Sequence, residues 1–202
     1  MGYPFSKAET VADGAVHAAG LAFAIPATAL LVMNTDNTWA VLLYGLCMVG
    51  AFAASAIYHM SPIDRTRPLL HRLDHAAIYF KIAGTYTPLV AVIGSGFAYG
   101  ILGIVWALAL IGAVAKLWFW KTDARGSLAL YLGMGWLSVL LIVPMWKNLP
   151  GTALSLVVAG GLIYSLGTIV YARKSMPFHN AIWHGFVLIA SICFFGAIAL
   201  SV

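Results

Sequence analysis

An all-α membrane protein, a bundle of seven transmembrane helices, is the fold class this sequence predicts, and three observations predict it. Of 202 residues, 62% are hydrophobic and 8% are charged, whereas a typical soluble domain is about 25% charged. So few charges cannot cover a soluble surface, and the chain reads as a polytopic membrane protein. Apolar runs of about 20 residues, the length a helix needs to cross the hydrocarbon core, recur seven times. Turn-forming clusters separate them. Backbone groups in hydrocarbon must be satisfied within their own segment, so the spans are helices. The alternating ten-residue segments of a transmembrane barrel are not found.

The elements follow in order. Residues 1–10 form a polar tail. Its Met1-Gly2 and Ser6 fit a crude myristoylation pattern that chance also produces, and a polar start before a long apolar run argues against a cleaved signal peptide. Span one, 12–33, stops at Asn34-Thr-Asp-Asn-Thr38, and span two, 39–60, at Ser61-Pro-Ile-Asp64. Span three, 73–94, opens on Asp74, contains Pro88, where a kink is expected, and ends at Gly94-Ser-Gly96. Span four, 98–119, carries Lys116 in its last turn, where the side chain is expected to snorkel outward. Span five, 127–146, and span six, 152–172, contain Leu132-Gly-Met-Gly135 and Ala159-Gly-Gly161, small residues that suit close helix packing. Span seven, 180–201, follows Pro177, a residue suited to a helix start. Trp39, Trp120 and Trp146 near span ends read as interfacial aromatics. With no internal repeat and no second composition, residues 1–202 form a single domain.

The net charge of +5 points to topology rather than to nucleic acid. With seven spans, the N-terminus shares a side with Lys7, Arg65, Arg67, Arg72, Lys116, Lys121, Arg125, Arg173 and Lys174, while Lys147 stands alone opposite and Lys81 lies inside a span. This bias places the N-terminus in the cytoplasm and the C-terminus outside. Cys47 and Cys193 sit in mid-span and read as small buried hydrophobes.

All six histidines, His17, His59, His71, His75, His179 and His184, map near the cytoplasmic ends of their spans, as do Asp13 and Asp74. Ionisable groups in a membrane are costly and mark function, so these residues read as one polar site in the cytoplasmic third of the bundle. Ser55 and His59 are four residues apart and share a helix face. His59 suits a metal, and Ser55 suits orienting a ligand or water beside it. Asp74, at a helix start, can serve as general base or fix a histidine tautomer. In span seven, Asn180 shares the face of His184, while His179, five residues back, lies about 140° away on an ideal helix and joins it only if the helix start is irregular. Three histidines and a water would form an open zinc site, with hydrolysis of a lipid amide or ester as its reaction class. The competing reading is a set of hydrogen-bonded residues that lock helices together. Glu9, Asp13 and His17 recur every four residues on one face, as supporting residues or a helix clamp. Lys81 lies seven residues after Asp74, and both pairing with that aspartate and contact with a ligand stay open.

Ser55-x3-His59, Leu73-Asp74-His75, Ala83-Gly-Thr-Tyr-Thr-Pro88 and Ala181-Ile-Trp-His184, preceded by Glu9 and Asp13-x3-His17, resemble the motifs of the hemolysin III family. That family is the bacterial branch of the progestin and adipoQ receptors, more distantly related to alkaline ceramidases. The resemblance covers nearly the whole chain. It implies seven helices in the bacterial inner membrane, a cytoplasmic N-terminus and a Zn2+ site near the cytoplasmic face. His59 and His184 match metal ligands, Asp74 the aspartate near the zinc-bound water, and Ser55 the serine of that motif. The better-studied receptors carry His-x3-His on the last helix; here Asn180 occupies the earlier position, and His179 beside it is the expected third ligand, with Asn180 the alternative. The resemblance implies a membrane lipid as substrate or ligand. Three functions follow: a zinc-dependent, ceramidase-like hydrolase or lipid-homeostasis factor, a non-catalytic lipid-state receptor with structural zinc, or a haemolytic pore-former.

Overall fold

The computed structural model describes residues 6–36, 38–120 and 125–202. The myristoylation pattern at Met1-Gly2, and the orienting charge of Lys121, fall outside them, and the side chain of Arg125 is likewise not described. Among the described residues there is no β-strand. Also among the described residues, seven helices are long and apolar enough to cross a membrane: α1 Lys7–Met33, α2 Thr38–Met60, α3 Arg67–Ile93, α4 Gly96–Phe119, α5 Gly126–Asn148, α6 Gly151–Ala172 and α7 His179–Ala199.

Polar capping carries two helices beyond their apolar runs. Ser6 accepts the Glu9 N–H at 3.2 Å and donates its own N–H to Glu9 Oε2 at 2.9 Å, a reciprocal capping box that starts α1 five residues before the hydrophobic segment. Pro68 sits in the first turn of α3, where its missing N–H has no intrahelical acceptor to lose. The basic stretch after α2 therefore winds into helix ahead of Asp74.

The helix α3 is the most buried of the seven and packs on both α2 and α4, while α1 packs on α2 and on α7, and α6 on α7. Close approach is local. A Cβ on Gly84 would stand 2.7 Å from Cys47 Cβ, so α2 and α3 touch almost backbone to backbone there. The expected small-residue contact in α5 does not form, because Gly133 and Gly135 face open space. That helix is instead interrupted by a 3-10 stretch at Leu137–Leu141. Leu30, Ile104, Leu110 and Leu166 are more than half exposed, an apolar exterior suited to lipid rather than water. Trp39 and Trp146, at helix ends, are among the most exposed residues.

Lys116 departs from expectation. It is fully buried, because the last turn of α4, Ala115–Phe119, is π-helical. The wider turn rotates residue 116 away from the surface. Arg72 of α3 donates to the Leu117 carbonyl of the same turn.

Candidate metal centre

The site is built where α1, α2, α3 and α7 meet. Spacing of four residues puts Asp13 and His17 on one face of α1, and Ser55 and His59 on one face of α2. Packing turns these faces toward each other and toward the first turns of α7. Asp13, His17, Ser55, His59, Asp74 and His179 are all buried.

Asp13 is the centre of the cluster. Its Oδ1 lies 2.7 Å from His184 Nδ1, and its Oδ2 lies 2.9 Å from His59 Nδ1. One carboxylate thus gathers imidazoles from α2 and α7. Asp13, His59 and His184 each offer a ligand atom within 4.8 Å of the others, and the group can hold a metal ion. A carboxylate with two imidazoles suits several first-row metals, zinc among them.

His17 Nδ1 stands 2.7 Å from the Asp13 carbonyl, which only accepts, so Nδ1 carries the proton and Nε2 is free to accept. Ser55 Oγ lies 3.1 Å from that Nε2 and 3.4 Å from His184 Nε2. A hydroxyl has one proton. Two imidazole lone pairs compete for it, and one of them stays available for another electrophile. The donors therefore suit a metal: they are of the right type, buried, and not all satisfied by one another. The ring centroids of His17, His59 and His184 lie 4.4–5.3 Å apart.

Asp74, two turns into α3 rather than at its start, presents Oδ2 4.0 Å from His59 Nε2. A cavity of about 320 Å³ opens against it, and its walls include His17, Ser55, His59, His184 and Asp74. The expected residues therefore distribute as follows. His59, His184, Ser55 and Asp74 converge as the sequence indicates. Asp13, expected only as support, is a member of the donor group. His179 is not in that group. The irregularity before α7 falls at Phe178, with φ of 57°, one residue too early to help. From His179 onward the helix is regular, and the angular gap to His184 stays near 140°. His179 and Asn180 instead form part of the cavity wall. Glu9 acts as a clamp: the Phe178 N–H donates to its Oε1 at 3.0 Å, tying the start of α1 to the turn before α7. Lys81 makes no ion pair with Asp74 among the described residues; seven residues separate them by about 10 Å of helix rise. The signal for Asp13 was its four-residue spacing from His17, but a sequence does not say which partners that face meets.

The family model for Haemolysin-III related proteins matches residues 5–195. The chain is 38% identical over 198 residues to a Hemolysin-3 homolog of Bacillus subtilis (strain 168), covering 95% of this chain and 93% of that protein. It is 35% identical over 194 residues to Hemolysin-3 of Bacillus cereus, covering 93% and 89%. It is also 30% identical over 200 residues to the human Monocyte to macrophage differentiation factor, covering 94% of this chain and 83% of the relative.

Proposed function

The chain belongs to the Haemolysin-III related family of multi-pass membrane proteins, and from that premise we propose that it is a zinc-dependent hydrolase of lipid amide or ester bonds in the bacterial inner membrane. The single observation that carries this reading is the Asp13–His59–His184 group standing open to a cavity with Asp74 at its wall. Zinc, when bound, would supply Lewis acidity toward a carbonyl and toward water. Asp13, His59 and His184 would hold it. Asp74 Oδ2 takes the proton from an attacking water and returns it to the leaving amine or alcohol, the general acid–base role. Ser55, with one proton to donate, orients one of the two rings His17 and His184 at a time through its hydroxyl. Hydrolysis yields a carboxylate and an amine or alcohol. The asymmetry of Lys and Arg supports an N-terminus in the cytoplasm and a cluster near that face.

A second reading has its own observation. The two Asp13–imidazole contacts also form a closed helix lock, which suits a non-catalytic lipid receptor with structural metal. The relatives' hemolysin name suggests a pore, but the polar residues of the first cavity gather at one end of the bundle, and the neighbouring cavity is apolar. Elemental analysis of protein purified without chelator separates the readings. Stoichiometric zinc together with cleavage of a fluorescent N-acyl lipid is expected. Folded protein without metal sinks the hydrolase.

A further inference from the structure

Lys81 lines two cavities at once. The first is the polar cavity of the metal centre. The second is an apolar slot of about 180 Å³ between α3, α5, α6 and α7, walled by Tyr86, Trp136, Met145, Leu162 and Phe194. Tyr164 shares this border position. Lys81 is 8% exposed. Among the described residues its ammonium makes no ion pair, and its recorded contact is the ring of Phe52, 4.6 Å from Nζ. Phe52 is itself a wall of the polar cavity and stands about one helical turn from Ser55 on α2. An aromatic face offsets only a fraction of the cost of burying a charge in a membrane interior. A partner of opposite charge is therefore expected, and the described protein does not supply it.

We propose that Lys81 is an anion-recognition residue, and that the molecule this protein binds is an amphiphile carrying a carboxylate or phosphate at the head of its hydrocarbon chain. The order of features along the bundle is metal centre, ammonium, apolar slot. It matches the order of groups on such a molecule: reacting head, negative charge, tail. The inference deepens the hydrolase reading, in which a carboxylate forms at the head of the chain as product, but it is read out by binding and does not require turnover.

The test measures binding of radiolabelled palmitate, 1-palmitoyl lysophosphatidate and hexadecanol to the purified full-length protein in detergent. Wild-type protein is expected to prefer at least one of the anions over the alcohol by roughly tenfold or more, as a charge-assisted contact in a dry site provides. Lys81→Met abolishes that preference while leaving hexadecanol binding unchanged, and Lys81→Arg retains part of it. Whichever anion shows the preference lost in Lys81→Met identifies the source, carboxylate or phosphate. Equal binding of all three probes to wild type overturns the proposal, as does a preference that survives in Lys81→Met. If Lys81→Met fails to fold, the wild-type and Lys81→Arg comparison still decides. Asp74→Asn separates the two ideas: a protein that no longer hydrolyses lipid but keeps its anion preference leaves this inference standing, and metal-free protein that keeps it removes only the hydrolase.

Discussion

Two neighbouring regions of this bundle are built on opposite principles. Around Asp13, polar atoms from α1, α2 and α7 are committed to one another at 2.7–3.4 Å. Around the apolar slot, helices α3, α5, α6 and α7 leave a gap walled by hydrocarbon and aromatic side chains. The first region is specified by directional bonds and tolerates little. The second is specified only by shape and tolerates much. Polar contacts inside a membrane have no water to fall back on, so each one restricts its neighbours. An apolar gap imposes no such obligation.

The contrast can be broken or sharpened by substitution. The largest effect is expected for Asp13→Ala, which strips two buried imidazoles of their shared acceptor. Loss of about 3 kcal/mol or more is expected, read as a lowered midpoint of thermal denaturation in detergent, together with loss of zinc. If stability and metal content stay as in wild type, Asp13 is not the centre of the region. Next comes Asp74→Asn, at the cavity wall. Fold and zinc content should persist while lipid hydrolysis drops by about 100-fold or more, the general-base contribution; undiminished turnover would remove Asp74 from the reaction. A smaller loss follows from Gly20→Ala. Its new methyl would lie 2.7 Å from the Phe52 ring, forcing α1 away from α2, at about 1–3 kcal/mol. The smallest belongs to Gly161→Ala in the slot region, where nothing lies within 4 Å of the added carbon. Stability there should change by no more than about 0.5 kcal/mol. Comparable denaturation midpoints for the two glycine variants would show that the regions do not differ.

The helices were legible because hydropathy is a local property, and twenty apolar residues can do little else in a bilayer. Their starts were less so: α1 and α3 begin on polar residues held by a capping box and a first-turn proline, and polar capping does not register as hydropathy. Ser55, His59, Asp74 and His184 were legible as a site because each sits at the same end of its helix. Asp13 was placed beside them but not at their centre. Its role depends on the rotation of α1 against α2 and α7, which is decided by packing and by close approaches such as that of Gly20 to Phe52. His179 lies outside the Asp13–His59–His184 group, and the backbone irregularity lies at Phe178, before the helix rather than within it. Lys116 was misread because a π-helical turn has no clear sequence signature.

The sequence separation of 171 residues from Asp13 to His184 also has a meaning in time. At a synthesis rate of about 5–20 residues per second, roughly ten to thirty seconds separate the arrival of the first from that of the last. Once α2 has been made, the rest of that interval leaves Asp13 and His59 without the third partner, which has not been made. The nascent chain therefore holds an incomplete donor set until its final helix enters the membrane. Any ion captured earlier would be held by Asp13 and His59 alone, so a choice of metal would be completed only at the last step of insertion.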